Sequence, residues 1–250
     1  MKILITGSSS GIGYEFAKKL DEKNNELILV ARSKEKLEKL KKELKAKVNI
    51  EIMDLSIKEN VYKLYNKYKN KIDLLINNAG FGLYGKFYET SLLDELNMID
   101  LNIITYHMLT KLFLQDFIKK NSGTILNVAS SASFEPGPLM ATYYSTKSYV
   151  YNLTIGIYEE LRREKSNVRI HVLCPGPVDT GFNNRAGVKF SVKSLTSDYV
   201  VNYTLNKMKK NKTIIIPGFN MKIFIFLTRF VPRKLIAKIT YNIQKSKSLQ

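Results

Sequence analysis

The chain has one cysteine, Cys174, among its 250 residues, so no internal disulfide can form and a reducing, cytoplasmic setting is expected. Histidine is nearly as scarce, with His107 and His171 alone. No His, Cys or Asp cluster has metal-ligand spacing, so no metal is expected. Both histidines fall in apolar contexts, one helix-like and one strand-like, where a core position is expected. Long apolar runs are missing too. Nothing approaches the roughly 18 residues needed to span a bilayer, and the opening "MKILITG" has only a three-residue apolar run, too short for a signal peptide. Acidic residues vanish from the last stretch: residues 201–250 hold 11 basic and no acidic residues, against 29 basic and 22 acidic in residues 1–200. The net charge of +18 raises the question of a nucleic-acid partner. Zinc-finger spacing, an RNP motif and every other nucleic-acid signature are absent, however. The lysines lie on solvated helix faces such as "KEKLEKLKKELKAK" (34–47), where Leu37, Leu40 and Leu44 mark the buried stripe. No nucleic-acid partner is expected.

Short apolar runs with turn residues nearby recur along the chain at 2–6, 26–31, 49–53, 72–77, 123–128 and 168–173, with "TIIIP" (213–217) as a seventh. Such runs suit strands buried on both faces. Helical patterns of 10 to 20 residues separate most of them. Alternating strands and helices predict an α/β fold: a doubly wound parallel sheet of about seven strands with right-handed crossovers. No internal repeat or linker divides the chain, so residues 1–217 read as one unit and 218–250 as an extension of it. Ligands of such sheets bind beyond the carboxyl ends of the strands, so the residues just after each strand carry the information.

The first strand opens into "TGSSSGIG", with Gly7, Gly11 and Gly13. A glycine-rich turn lets backbone approach a pyrophosphate, and the following helix N-terminus supplies free N–H groups and partial positive charge. There is no Gly-Lys-Ser/Thr ending, which disfavours a nucleoside triphosphatase and favours a dinucleotide. Further on, "ATYYSTK" (141–147) sets Tyr143 four and Tyr144 three residues before Lys147. Either spacing puts phenol and ammonium on one helix face, and the segment alone leaves open which tyrosine matters.

The spacing Gly-x-x-x-Gly-x-Gly resembles the short-chain dehydrogenase/reductase family, whose further motifs appear in order: "NNAG" (77–80), Asn102, "NVASS" (127–131), Tyr143-x-x-x-Lys147 and "PG" (175–176). Together they cover residues 3 to 180. The resemblance implies a single-domain Rossmann-type fold and an oxidoreductase that moves a hydride between a nicotinamide cofactor and a carbonyl or secondary alcohol. The family's serine usually precedes its tyrosine by thirteen residues. That spacing fits Ser130 with Tyr143 and equally Ser131 with Tyr144, and the Tyr-x-x-x-Lys pattern singles out Tyr143. The implied catalytic set is Asn102, Ser130, Tyr143 and Lys147, with Tyr144 left to packing or the substrate wall. A phenol with an ordinary pKa of about 10 is only about 0.1% ionised at pH 7, and lowering it by about 3 units takes roughly 4 kcal/mol of phenolate stabilisation. Lys147 and an oxidised nicotinamide are expected to supply that charge. The implied cofactor contacts are Gly7, Ser9, Ser10, Gly11, Ile12 and Gly13 at the turn, Asp54 and Leu55 after the third strand, and Asn78, Ala79 and Gly80 after the fourth. Tyr143 and Lys147 join them, with Pro175, Gly176, Val178 and Thr180 after the sixth.

The second strand ends at Ala31 with Arg32 next, where an acid would bind the ribose hydroxyls of NAD. A guanidinium there can grip a 2′-phosphate, so NADP(H) is the expected cofactor. By the same resemblance "FGLYGKF" (81–87), Phe134, Leu139 and "TGFNNRAGVKF" (180–190) surround the substrate. Phe81, Leu83, Phe134, Leu139, Phe182 and Val188 suggest a small apolar carbonyl or alcohol. Relatives often pair through the helices carrying Asn102 and Tyr143, which implies a homo-oligomer. A non-catalytic NADP(H)-binding redox sensor is the alternative, but such a protein need not keep the full Asn102–Ser130–Tyr143–Lys147 set. In the basic segment 218–250, helices are expected over 221–230 and 232–245, with Leu235, Ile236, Ile239 and Ile243 as an apolar stripe. That stripe either packs on the protein or meets a membrane surface peripherally, with Lys222, Arg229, Arg233, Lys234 and Lys238 toward anionic lipid.

Overall fold

In the computed structural model, which describes residues 1–180 and 194–246, successive residues of each central strand feed two different cores. Ile3, Ile5, Leu27, Leu29, Leu74, Ile76 and Leu126 point to one face, while Leu4, Ile28, Val30, Leu75 and Ile125 point to the other. This is the period-two alternation of a sheet covered on both sides. The elements run β1 (Lys2–Thr6), α1 (Gly11–Lys19), β2 (Glu26–Ala31), α2 (Lys34–Glu43), β3 (Lys47–Ile52), α3 (Lys58–Tyr68), β4 (Leu74–Asn77) and α4 (Leu92–Ile99). They continue through α5 (Thr105–Lys120), β5 (Thr124–Val128), α6 (Ala141–Arg163), β6 (Arg169–Leu173), β7 (Val178–Asp179), β8 (Leu195–Thr196), α7 (Ser197–Lys209), β9 (Ile214–Ile215), α8 (Phe219–Leu227) and α9 (Arg233–Lys245). The sheet order is β3-β2-β1-β4-β5-β6-β9, with every pairing parallel. The reversal of strand order between β1 and β4 makes the crevice in which such sheets hold ligands.

One layer is α1, α2 and α7, which bury Phe16, Ala17, Leu37, Leu40, Val200 and Val201. The other is α3, α5 and α6, which bury Val61, Leu64, Leu109, Phe113, Phe117 and Leu161. The expected seventh strand shrinks to Ile214–Ile215, because Pro217 has no N–H to continue a ladder. A second two-stranded parallel ribbon, β7 with β8, had no counterpart in the sequence pattern. His171 is buried as expected and its Nδ1 pairs with the Lys212 carbonyl. His107 is not in the core: it is exposed on α5, and its Nδ1 lies 2.7 Å from the Tyr149 hydroxyl on α6. Among the described residues no helix is long and apolar enough to cross a membrane.

The last two helices fold back over the carboxyl end of the sheet. On α9 the buried line is Ile236, Thr240 and Gln244, one position round from the expected stripe. Of that stripe only Ile236 is packed, and Leu235, Ile239 and Ile243 are exposed. Three polar ties fix the rotation. Thr240 donates to Glu135 Oε2, Gln244 Nε2 donates to the Tyr144 hydroxyl, and the Tyr84 hydroxyl donates to the Gln244 carbonyl.

Candidate active site

The turn after β1 is built for close backbone approach. Gly7 has φ +66° and Gly11 φ +55°, the left-handed region where a side chain is strained. A Cβ on Gly7 would lie 2.8 Å from Ala79 Cα. Gly13 lies one turn into α1, where a Cβ would sit 2.4 Å from the Gly7 carbonyl. Its role is to let α1 press on the turn, and it does not line the cleft. Ser10, the N-cap of α1, makes no side-chain cap hydrogen bond, so the first N–H groups of that helix are left for an incoming anion.

From this turn a cleft of about 780 Å³ runs along the carboxyl ends of β1, β2, β4, β5 and β6, within the size range of cofactor sites. Ser9, Ser10, Gly11, Ile12, Asn78, Ala79 and Gly80 line its middle. Asn78 is held there by Nδ2 donating to the carbonyls of Thr6 and Gly7. One end is formed by Arg32, Asp54 and Leu55, with Ser33 and Lys36, which the motif reading had not included, beside them. Arg32 Nη1 lies 3.6 Å from Asp54 Oδ2, and both side chains are substantially exposed. Such a pair is weakly bound and easily rearranged. Burial pushes the Asp54 carboxyl up, but hydrogen bonds from Ser56 and the nearby Arg32 guanidinium outweigh it and hold the group below the ordinary range.

At the other end β5 and α6 bring Ser130, Tyr143 and Lys147 together with Pro175, Gly176, Val178 and Thr180. Ser130 follows β5 in extended conformation, and the Ser131 N–H donates to the Pro175 carbonyl, tying the two loops. The side chain of Ser130 hydrogen-bonds Tyr143. Lys147 Nζ lies 5.9 Å from the centre of the Tyr143 ring and donates to the Val128 carbonyl at 3.0 Å. The second tyrosine has other partners: Tyr144 packs edge-on at 6.1 Å from Tyr143 and accepts its hydrogen bond from Gln244. A Cβ on Gly137 would meet the Tyr144 ring at 2.1 Å, so a glycine there makes room for it.

Burial governs the charges. It pushes Tyr143 up to about 12, with the Ser130 bond pulling the other way. It also brings Lys147 down to about 8. The lowered phenol that the sequence suggested is therefore not a property of the protein alone, because desolvation outweighs the Ser130 hydrogen bond. Cys174, fully buried beneath, has its thiol pushed far up and is unsuited to nucleophilic work.

Asn102 is fully buried and stands behind the cleft. It sits in a π-helical turn, Asp100–Ile104, between α4 and α5. Its Nδ2 donates to the Phe81 carbonyl and Thr146 Oγ1, and its Oδ1 accepts from the Phe81 N–H. A Cβ on Gly80 would lie 2.9 Å from Asn102 Oδ1 and 3.4 Å from Lys147 Nζ, so the two groups face a common point.

Phe81, Leu83, Phe134 and Leu139, expected around the substrate, do not line the cleft. Phe81 belongs to the core, Leu83 packs against it, and Phe134 stacks at 4.7 Å on Tyr151. Leu139 takes φ +66° and offers its carbonyl to the Gly85 N–H. The apolar side chains on the cleft are instead Leu101, Met140, Met221, Phe224 and Ile243, with polar Thr240 and Gln244. Phe182 and Val188 lie outside the described residues. Among the described residues no group of three or more His, Cys, Asp or Glu could hold a metal.

A family model described as short chain dehydrogenase matches residues 1–189. An uncharacterized oxidoreductase of Staphylococcus epidermidis is 33% identical over 181 residues, covering 71% of this chain and 77% of that protein. Estradiol 17-beta-dehydrogenase 11 of Macaca fascicularis is 29% identical over 252 residues, covering 96% and 82%. A solved structure, a short-chain dehydrogenase from Sphingobium yanoikuyae in complex with NADPH, superposes with a TM-score of 0.81 at 27% identity, covering 87% of this chain and 88% of that one. With the parallel sheet, the glycine turn and the Ser130–Tyr143–Lys147 group at its carboxyl edge, these likenesses place the chain in the short-chain dehydrogenase family of oxidoreductases.

Proposed function

We propose that the protein is an NADP(H)-dependent oxidoreductase that interconverts an apolar carbonyl compound and its secondary alcohol, with Tyr143 as general acid and base. The observation that carries this reading is the Ser130–Tyr143 hydrogen bond with Lys147 Nζ 5.9 Å from the same ring, at one end of a cleft that begins in a phosphate-binding turn. Bound cofactor supplies or accepts the hydride. The open N-terminus of α1, with Ser9, Ser10, Gly11 and Ile12, would hold its pyrophosphate. Asp54, Leu55, Asn78, Ala79 and Gly80 would line the adenosine side. Gly13 supports the turn from behind.

In reduction, Tyr143 gives its proton to the carbonyl oxygen, and a phenol raised to about 12 by burial holds that proton at neutral pH. Ser130 donates to the same oxygen and stabilises the charge developing on it. Lys147, with a pKa of about 8, exchanges protons near neutrality and returns one to Tyr143. Asn102 is a positioning residue: it fixes the loop at Phe81, and its Oδ1 shares the space beside Gly80 with Lys147, within reach of a relay water. The apolar wall of Leu101, Met140, Met221, Phe224 and Ile243 supports a bulky apolar substrate, as does the Macaca fascicularis relative named for estradiol. The single, buried Cys174 supports a reducing, cytoplasmic location. Two copies would pair through α5 and α6.

The preference for NADP(H) rests on Arg32, which stands where an acid would repel a 2′-phosphate, with Lys36 beside it on the cleft. Support also comes from the NADPH held by the Sphingobium yanoikuyae structure. Arg32→Glu is expected to raise the KM for NADPH about a hundredfold, the loss of a charge-assisted bond plus a repulsion, and to leave that for NADH nearly unchanged. Steady-state kinetics with both cofactors checks it, and equal changes for the two would refute the assignment.

A further inference from the structure

The buried line of α9 is two-thirds polar, Thr240 and Gln244 beside Ile236, while apolar Leu235 and Ile239 stand exposed among its cations, unlike a helix that only packs on its own protein. Thr240 and Gln244 are turned into the cleft, while Leu235 and Ile239 are exposed by 48% and 46%. The preceding segment continues the pattern: Phe219, Phe226 and Phe230 are exposed by 74%, 55% and 73%, and the last two stack edge-on at 5.3 Å. Three phenylalanines exposed to this degree within residues 219–230 mark a surface with a partner. Interleaved with them are the exposed cations Arg229, Lys234 and Lys238, and residues 218–250 contain seven basic residues and no acid.

We infer that the outward face of α8 and α9 is a docking surface for an anionic lipid bilayer, lying in the interface without spanning it. Charge decides among the occupants. A second copy meeting this face by a two-fold axis would set the same cations against one another, with no acid in the segment to answer them. A lipid surface carrying phosphates satisfies both features at once: the aromatic and aliphatic side chains enter the acyl boundary and the basic ones stay with the headgroups. Neither helix is long enough to cross a membrane. The placement also has a chemical consequence. Met221, Phe224 and Ile243 belong to the same two helices and line the cleft, so docking would bring the mouth of the site to the bilayer and let an apolar substrate enter from it. This last step rests on the proposed carbonyl chemistry, whereas the docking itself does not.

The test is co-sedimentation of the full chain, without cofactor or substrate, with vesicles of phosphatidylglycerol and phosphatidylcholine in equal parts, and with phosphatidylcholine alone. Binding to the mixed vesicles at low salt is expected, with loss on raising the salt and on omitting the anionic lipid. Phe226→Asp/Phe230→Asp and Lys234→Glu/Lys238→Glu should each weaken it at least about tenfold. None of these four residues lines the cleft, so reduction of a water-soluble ketone should be unchanged in both variants, which also shows that they fold. Absence of binding at low salt overturns the inference. So does undiminished binding in both variants, or a dimer that only the Phe226→Asp/Phe230→Asp variant breaks, since a second copy would then be the occupant.

Discussion

Tyr143→Phe is expected to lower kcat for NADPH-dependent ketone reduction by about a thousandfold, within the range for removing a general acid, while the affinity for NADPH stays within about twofold. The substitution removes one oxygen from a ring that is otherwise packed, and Ser130 and Lys147 keep their places after β5 and on α6. The adjacent residue gives the control. Tyr144→Phe removes the hydroxyl that accepts from Gln244, costs about 1 kcal/mol of stability and retains most of the activity. Initial rates for the two variants, alongside NADPH fluorescence titrations, decide between them. A silent Tyr143→Phe with an inactive Tyr144→Phe would move the chemistry to the other tyrosine.

Lys147→Met should abolish turnover and yet make the cofactor-free protein more stable. Lys147 is 4% exposed, and burial lowers its pKa from 10.5 to about 8. At neutral pH it is charged in both the folded and unfolded chains, so folding bears the full cost of burying it. That cost is about 3 kcal/mol at 1.36 kcal/mol per pKa unit. The substitution gives up a hydrogen bond to the Val128 carbonyl worth about 1 kcal/mol, and that carbonyl still accepts from the Tyr106 hydroxyl. A net gain of about 1–2 kcal/mol follows. The sign with pH is fixed by linkage: the unfolded chain binds the extra proton between about 8 and 10.5, so the native protein recovers stability across that window. The advantage of the Met variant should therefore be full below about pH 8 and fade toward 10.5. Denaturant unfolding at pH 7 and pH 10 measures both. A destabilised variant at pH 7, or a gain that grows with pH, would contradict this reading of the buried ammonium.

Legibility in the sequence followed the chemistry. A turn with positive φ demands glycine, and Gly7 and Gly11 could be read directly. The strands could be read because both faces are covered, which forces continuous apolar runs. Arg32 could be named because it directly follows β2, and it lines the cleft. The apolar lining of the cleft was not legible. Phe81, Leu83, Phe134 and Leu139 stand near the site in sequence, but their directions depend on packing that no spacing reports. Phe134 is drawn away by Tyr151, and the left-handed backbone at Leu139, a strain of about 1–2 kcal/mol, leaves Met140 to face the cleft. The rotation of α9 was hidden for a related reason. Its apolar residues suggested one buried stripe, but the ties of Thr240 and Gln244 to Glu135 and Tyr144 turn the helix by about one residue. Asn102 could be named but not placed, since the π-helical turn that sets it behind the cleft has no sequence signature. His107 misled because half of α5 is solvent-facing despite its apolar neighbours.

Transfer of a hydride between a nicotinamide and a carbonyl carbon, under the control of Tyr143, is the chemistry proposed for this cleft. The most direct measurement uses NADPH carrying deuterium at nicotinamide C4, a panel of bulky apolar ketones and aldehydes, and mass spectrometry of the alcohols formed. The predicted result is one deuterium on the carbinol carbon of the product with the wild-type protein, and loss of that product in Tyr143→Phe. Tight NADPH binding with no labelled alcohol from any member of the panel would contradict it, and would leave a dinucleotide-binding protein without this chemistry.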